Sequence, residues 1–335
     1  MNQLSFPKPA GDPQMSKLHC HQQPGIMDFT PEPYEEAVSS SWLICNTCGT
    51  QFPTADRTAV KTCYVCDDPR QYVPPTGQSF TTMADIRASG HVNEFEPYKH
   101  DDRVTSIHTV PRFAIGQRAI LIRTPQGNIL WDCISYLDAE TIDKIKKLGG
   151  LKAIVISHPH FYSTHIQWAR AFQCPVYTSA EDLRWTTTPS AHRKPLTEIE
   201  TDIIPGVKAI KLGGHFPGSM VLLFDGRLFT ADTLMATPAG IGKWEVDALG
   251  EKREKPPGLN SFSFLWSFPN SIPLPADEIH RMWGILKAYE FRSTHGILVG
   301  TDIEDDKVKS RVLDSMKIQT RAMGNVTHAL LDETL

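Results

Sequence analysis

The strongest constraint on the fold is a set of His and Asp residues at the carboxyl ends of predicted strands. His158 and His160 directly follow the apolar strand 154–156 and stand two residues apart, so both can point at one ion. Gly213 and Gly214 precede the next His and allow the sharp turn that would bring its ring to the same point. The full set is His158, His160, His215, Asp232 and His295. The pattern predicts a metal site at one edge of a sheet.

Around these residues, short apolar strands alternate with amphipathic helices. Residues 119–123 and 129–131 favour a β-hairpin around a turn that contains Pro and Gly. Residues 138–148 have apolar positions at helical spacing with Gly149 just beyond, and residues 152–157 then predict a short buried strand. This alternation predicts a layered α/β domain.

Composition excludes several classes of protein. The 335 residues carry 34 Lys and Arg against 38 Asp and Glu, so they lack the basic excess of a nucleic-acid-binding protein. No apolar run is long enough to span a membrane, and residues 1–41 contain no apolar stretch typical of a secretory signal. We expect a cytoplasmic protein with a small-molecule substrate and with neither nucleic acid nor membrane as a partner. The oligomeric state stays open.

Four of the seven cysteines form two C-x-x-C pairs separated by fourteen residues: Cys45, Cys48, Cys63 and Cys66. Four thiolates at this spacing predict a tetrahedral structural Zn²⁺ site, although rubredoxin-like iron suits the same ligands. Because no coordination position stays open, the ion should stabilise a small loop-rich segment and perform no chemistry. Residues 42–100 hold five basic and six acidic side chains, which argues against a phosphate-binding face.

The chain is therefore expected to have three parts. Residues 1–41, rich in Pro, Gln and Ser, predict a mobile arm that becomes partly ordered near residues 34–38. Residues 42–100 form a zinc-knuckle segment, here called the four-cysteine segment, and residues 101–325 form the larger domain with the histidines.

In this order and context, the His and Asp motifs resemble those of the metallo-β-lactamase superfamily over roughly residues 105–300. His158 and His160 match its first motif, His215 its G-H-x-P-G-S motif, Asp232 its bridging carboxylate and His295 its last motif. The resemblance implies an αββα sandwich with a one- or two-metal site, usually zinc, here preceded by the small, zinc-ribbon-like four-cysteine segment. The Cys-rich knuckle and the S-H-P-H loop look most like fungal-type members.

The first motif departs from the family pattern H-x-H-x-D-H. Tyr162 stands where the Asp is expected and Ser163 where the third His is expected, so the second metal site is damaged. His165 lies two residues later and either replaces the missing ligand or merely tops the predicted helix 164–172, which Ser163 would cap. We expect one firmly held Zn²⁺ in the histidine site and leave a second ion open.

The ligand set predicts a metal-dependent hydrolase. Three imidazoles on one ion lower the pKa of a bound water enough to attack an ester, lactone, thioester or amide carbonyl. Asp232 would bridge the ions or orient that water, while Tyr162 either donates to a developing oxyanion or packs in the core. Two alternatives are a mononuclear iron dioxygenase and a non-catalytic metal-binding or scaffold protein.

Aromatic residues alternate between Asp232 and His295 at Phe262, Phe264, Trp266 and Phe268. As a strand they would present one face, suited either to a flat apolar substrate or to ordinary core packing.

Overall fold

The computed structural model describes residues 30–335, and most of their strands belong to two large sheets. In chain order the strands are β1 (Leu43–Cys45), β2 (Phe80–Thr82), β3 (Val92–Tyr98), β4 (Asp101–Val110), β5 (Ala119–Ile122), β6 (Ile129–Trp131), β7 (Ala153–Val155), β8 (Val176–Ser179), β9 (Arg193–Leu196), β10 (Glu200–Ile204), β11 (Val207–Lys211), β12 (Met220–Phe224), β13 (Arg227–Phe229), β14 (Met235–Ala236), β15 (Phe262–Ser263), β16 (Leu265–Ser267), β17 (Ile272–Pro273), β18 (Ser293–His295) and β19 (Asp302–Glu304). A seven-stranded sheet has the order β3-β4-β5-β6-β7-β8-β9, and a six-stranded sheet has the order β10-β11-β12-β13-β18-β19.

Seven α-helices accompany these strands in residues 30–335. They are α1 (Glu36–Ser39), α2 (Met83–Ala88), α3 (Ala139–Lys147), α4 (His165–Phe172), α5 (Pro238–Ile241), α6 (Ala276–Leu286) and α7 (Val308–Ala322). Short 3₁₀ helices span Pro159–Phe161, Ala180–Trp185 and Ala329–Asp332. None of the helices in residues 30–335 is both long and apolar enough to cross a membrane.

Side-chain alternation along the strands separates an inner from an outer face of each sheet. In β5, Ile120 and Ile122 join the cluster between the two sheets, whereas Leu121 points to the opposite layer. Val207 and Leu222 of the six-stranded sheet face the same inner cluster. The period of two therefore builds one core between the sheets and leaves a second apolar face on each sheet for helices.

The two outer cores complete four layers. Ile145 of α3 and Ile166 of α4 pack on the seven-stranded sheet. Ile279 of α6 and Val312 of α7 pack on the six-stranded sheet with Leu228. This arrangement confirms the αββα sandwich.

The helix-side core of the six-stranded sheet should be sensitive to truncation. Leu286 is fully buried at the end of α6, so we expect Leu286→Ala to lower the free energy of unfolding by about 2–5 kcal/mol through lost burial and a cavity. Leu249→Ala is the matched control, because Leu249 is 88% exposed and should change stability by less than about 0.5 kcal/mol. If Leu286→Ala and Leu249→Ala lowered the free energy of unfolding in urea equally, the placement of Leu286 in the core would be contradicted.

The amino-terminal region is attached to the sandwich. Glu32 accepts hydrogen bonds from the Arg170 guanidinium and from the Ala191 amide, and its own amide donates to the His192 ring. Glu32 is thus docked on the sandwich, while the division into an arm over residues 1–41, partly ordered near residues 34–38, a four-cysteine segment and a larger domain stays a prediction. The remainder of that predicted arm, residues 1–29, lies outside the described residues.

One local prediction differs from the structure, and one alternative that the sequence left open is decided for two aromatic residues. Helix α4 begins at His165 with Thr164, not Ser163, as its N-cap residue, and the Thr164 hydroxyl donates to the Ser135 carbonyl instead of capping the helix. Among the alternating aromatics, Phe262 and Phe264 are fully buried in the core beside α6 and α7. They therefore do not form one substrate-facing surface with the later aromatics.

Candidate metal centre

Four of the predicted ligands meet where the two sheets present neighbouring strand ends. His158 and His160 follow β7, His215 lies in the loop between β11 and β12, and Asp232 follows β13. Positive φ angles at Gly213 and Gly214 make the sharp turn that precedes His215, a conformation that a side chain would strain. The four ligand atoms all lie within 4.8 Å of one another, and all four residues are buried.

The separations of these atoms match a tetrahedral ion. Asp232 Oδ2 lies 3.4 Å from Nε2 of His158 and of His215, and 3.7 Å from Nδ1 of His160. His160 Nδ1 and His215 Nε2 are 3.1 Å apart. A tetrahedron with metal–nitrogen bonds of about 2.0–2.1 Å has edges of roughly 3.3–3.4 Å. The residues present thus fit a small divalent ion such as Zn²⁺, with Asp232 as a fourth ligand.

Hydrogen bonds orient the imidazoles. His215 Nδ1 donates to the Trp266 carbonyl oxygen at 2.8 Å, which leaves Nε2 to face the other ligands. His158 Nδ1 lies 2.9 Å from the Ser157 hydroxyl. Such contacts fix the tautomer and direction of a metal-binding ring.

The protonation states also suit a cation. Burial lowers the pKa of His160 and of His215, which keeps both rings neutral at pH 7. Burial acts to raise the pKa of Asp232, but the surrounding histidines, His158 foremost, outweigh it and hold that pKa well below its usual range. Neutral imidazoles and an ionised carboxylate are the forms that bind metal.

Sequence analysis missed Asp132, which supports the first ligand pair. Its Oδ1 accepts the Ser157 amide proton at 2.7 Å, and its backbone has φ of +59°, which Asp tolerates better than most residues. Burial raises the pKa of Asp132 to about 7. A useful indication was available, because this acidic residue directly follows β6, which pairs in parallel with the strand that precedes His158.

His165 and Tyr162, whose roles the sequence left open between the site and ordinary packing, lie outside the four-ligand cluster. Both ring nitrogens of His165 are engaged: Nδ1 donates to the Tyr162 carbonyl at 2.7 Å, and Nε2 accepts from Arg193 at 3.2 Å. Burial lowers the pKa of His165 to about 3, so the ring stays neutral. The Tyr162 ring packs against His165, and burial raises the pKa of its phenol above the usual value. These contacts favour packing for both residues over metal binding or catalysis.

His295 is likewise placed away from the cluster. Its Nδ1 donates to Asp302 at 3.0 Å, its Nε2 lies 3.0 Å from the Ser293 hydroxyl, and its ring stacks on Phe229. Because both ring nitrogens have partners, the residue predicted from the last motif is not oriented as a ligand. Only one ion is therefore provided with a full ligand set among the His and Asp residues of the described chain.

Asp302 should make stability depend on pH. Burial acts to raise its pKa, but His295 and Arg118 outweigh this and lower the pKa from 3.8 to about 2. A carboxyl group with a lowered folded-state pKa stabilises the fold above its unfolded pKa and loses that contribution as pH falls through the folded value. We expect Asp302→Asn to lower the free energy of unfolding by about 2 kcal/mol at pH 7, with the gap to wild type narrowing from about pH 4 to pH 2.

Urea unfolding across this pH range measures the gap. Asp277→Asn is the matched control, because the Asp277 side chain is 99% exposed and should show no comparable difference. If the difference in unfolding free energy between wild type and Asp302→Asn stayed constant down to about pH 2, the lowered pKa of Asp302 would be contradicted.

The four cysteines form a second candidate centre. Cys45 Sγ lies 3.4 Å from Cys66 Sγ, and Cys48 Sγ lies 3.6 Å from Cys63 Sγ. Disulfide sulfurs are about 2.05 Å apart, whereas four thiolates on Zn²⁺ at about 2.3 Å are separated by roughly 3.8 Å. The cysteine cluster thus fits a tetrahedral ion, and tetrahedral sulfur accommodates zinc and iron alike.

Asp68 and Arg70, shortly after Cys66, lie near the ligand histidines. No local sequence pattern indicated this proximity. Arg70 donates to the His215 carbonyl and pairs with Asp68, whose charge acts on His160. Asp182, from the 3₁₀ helix 180–185, accepts the Gly218 amide proton at 3.2 Å. Burial raises the pKa of Asp182 to about 6 against the opposing charge of His158. Two further carboxylates and one guanidinium therefore surround the candidate centre.

Comparison with known proteins agrees with this architecture. Residues 114–260 match the sequence model of the metallo-beta-lactamase superfamily. The chain is 40% identical over 257 residues to the uncharacterized protein YmaE of Bacillus subtilis (strain 168), which covers 75% of this chain and 86% of YmaE. This relative is bacterial, and a fungal type stays a prediction.

Solved structures show lower similarity. The DIM-1 metallo-beta-lactamase has a TM-score of 0.46 and 13% identity, covering 69% of this chain and 98% of that chain. A flavo-di-iron protein from Thermotoga maritima has a TM-score of 0.43 and 13% identity, covering 68% of this chain and 62% of that chain. On the family match, the YmaE identity and the four-layer fold, the chain belongs to the metallo-beta-lactamase superfamily.

Proposed function

We propose that the protein is a metal-dependent hydrolase that acts on an activated carbonyl of a small molecule, such as an ester, lactone, thioester or amide. The observation that carries this proposal is the buried set of three imidazole nitrogens and one carboxylate oxygen at tetrahedral separations. Three imidazoles with a carboxylate form a ligand set typical of zinc.

A bound Zn²⁺ that takes water as a fifth ligand would supply Lewis acidity and bring the pKa of that water close to 7. His158, His160 and His215 would hold the ion. Asp232 would bind it through Oδ2, while its Oδ1 is buried and accepts no hydrogen bond from the described protein groups. That second oxygen is therefore available to accept a hydrogen bond from water and to orient it for attack.

The surroundings of the ligands strengthen such electrostatic effects. The Phe216 ring lies 4.9 Å from the His160 ring and 5.0 Å from the His215 ring, and Phe161 lies 4.4 Å from His158. These apolar side chains keep bulk water away, and charge interactions are stronger where water is excluded.

A panel of chromogenic esters, lactones, thioesters and amides tests the proposal with the full-length protein. We expect hydrolysis of at least one class, loss of activity with a chelator, and recovery on adding Zn²⁺. Protein that carries zinc in the histidine centre but hydrolyses no member of the panel would overturn the proposal in favour of a binding or scaffold role.

An iron-dependent oxidation is the second candidate, and the placement of Asp232 favours it. A tetrahedral ion held by three histidines and Asp232 has no open position unless it becomes five-coordinate, whereas an octahedral ion keeps two positions free. Iron in the purified protein and substrate-dependent oxygen uptake would support this candidate. Zinc in the histidine centre with no oxygen uptake would exclude it.

A further inference from the structure

The four residues 68–71, here called the strap, connect the cysteine cluster to the histidine centre. They begin two positions after Cys66. Asn270 Nδ2 donates to the carbonyl oxygens of Pro69 and Gln71 at 3.1 and 3.0 Å, and Ser267 Oγ donates to the Arg70 carbonyl at 3.1 Å. The strap is therefore hydrogen-bonded along its length to the end of β16 and to the loop that follows it.

Arg70 extends from the strap over the centre and is only 8% exposed. Its guanidinium forms a two-pronged ion pair with Asp68, at 2.8 Å from Nε to Oδ1 and 3.1 Å from Nη2 to Oδ2. The remaining prong, Nη1, donates to the His215 carbonyl oxygen at 3.4 Å, and the guanidinium lies 4.1 Å from the centre of the Phe216 ring. Lysine could not make these contacts together, because they need a planar, forked group.

Two hydrogen bonds thus hold His215, one to its backbone and one to its ring. Both partners belong to segments that the strap connects. The His215 backbone carbonyl accepts from Arg70, and its ring donates to the Trp266 carbonyl at 2.8 Å. Trp266 precedes Ser267, which binds the strap, so the ring and backbone contacts of His215 depend on one fastened unit. Partners of this kind orient a ligand although they do not touch the ion.

The second cysteine knuckle supports the same wall. Tyr64, between Cys63 and Cys66, donates from its hydroxyl to the Thr186 carbonyl at 3.0 Å and stacks on Trp185. The Trp185 ring meets Phe216 edge-on at 5.6 Å, and Phe216 contacts all three ligand rings. Both the second cysteine knuckle and the strap therefore pack against residues that surround the ligand histidines.

We propose that Arg70 is a positioning residue for His215, and that the four-cysteine segment serves as its anchor and forms one wall of the histidine centre. The proposal rests on the proposed function only in that the histidine cluster binds a metal ion. It assigns the four-cysteine segment a task in the active centre beyond its own stability.

Metal release from cobalt-loaded, full-length protein tests the proposal. Sulfur-to-cobalt charge-transfer bands report the cysteine cluster, and the ligand-field bands without sulfur contribution report the histidine centre. Arg70→Met removes the guanidinium, and Asp68→Asn/Arg70→Met also removes the carboxylate that would otherwise be buried without its partner. Arg57→Met is the matched control, because Arg57 belongs to the same segment but contacts Phe80 and the Val60 carbonyl.

We expect both Arg70 variants to release cobalt from the histidine centre to a chelator about 10- to 100-fold faster than wild type, with unchanged charge-transfer bands. The double variant, which leaves no unpaired buried carboxylate, should also keep the thermal unfolding of wild type. Arg57→Met should behave as wild type. Equal release rates in wild type and the double variant would overturn the positioning role alone. Absence of metal from the histidine centre of wild type would overturn this proposal and the proposed function together. Faster release from a protein that hydrolyses nothing would support Arg70 and overturn only the hydrolase.

Discussion

Replacing His158 with alanine should empty the histidine centre and reduce hydrolysis by more than about 100-fold. The variant keeps two imidazoles and Asp232, and losing a ligand is more severe than losing a hydrogen-bond partner of a ligand, which typically costs about 10- to 100-fold. Elemental analysis should find about two metal ions per chain in wild type and one in His158→Ala, since one complete set is present in each cluster.

The control for this prediction is His280→Ala. His280 lies on α6 and pairs with Glu333 at 3.0 Å, outside both candidate centres. It should retain both ions and full activity. If His158→Ala kept the metal content and turnover of wild type, the assignment of the histidine centre would be wrong.

Removing two cysteines should have the largest effect on stability. In Cys63→Ala/Cys66→Ala two thiolates remain, too few for a tetrahedral ion, so the binding free energy that the folded segment gains from the metal is lost. Structural zinc contributes an apparent free energy of about 10 kcal/mol or more in zinc-finger peptides. We expect a loss of several kcal/mol here, on the order of the free energy of unfolding of a whole domain, because the four Cys residues are buried within one of the main cores.

Cys174→Ala separates this effect from ordinary packing. Cys174 is buried but lies outside the cysteine cluster, so its replacement should keep the metal and cost only about 1 kcal/mol. The readouts are metal content and urea unfolding. A double variant as stable as Cys174→Ala would contradict a structural metal in the four-cysteine segment.

The two variants together also distinguish the roles of the centres. If the four-cysteine segment forms a wall of the histidine centre through Arg70, loss of the cysteine-bound metal should weaken metal retention by His215 as well. His158→Ala should leave the cysteine-bound metal in place, because the four clustered thiols contact one another without any His ligand. Metal retention in the histidine centre should therefore depend on the cysteine-bound metal, whereas the cysteine-bound metal should not depend on the histidine centre.

Local spacing in the sequence determined the two candidate metal clusters and the general class of the fold. Two C-x-x-C pairs predict the four-sulfur cluster, because each tight turn places two thiolates on the same side. His158 and His160 at a strand end, His215 after two glycines and Asp232 after another strand predict the histidine cluster, because neighbouring strand ends share an edge of the sandwich. Alternating strands and helices likewise indicated the layered fold.

Only the tertiary structure decided the roles of residues whose partners are distant in sequence. His295 matches a family motif, yet Asp302 and Ser293 occupy its nitrogens, and Arg193 occupies a nitrogen of His165. Arg70 reaches His215 across 145 positions of the chain. A sequence pattern shows which side chains a segment contains. Which partner each buried polar side chain hydrogen-bonds to depends on the packing of segments that are distant in sequence.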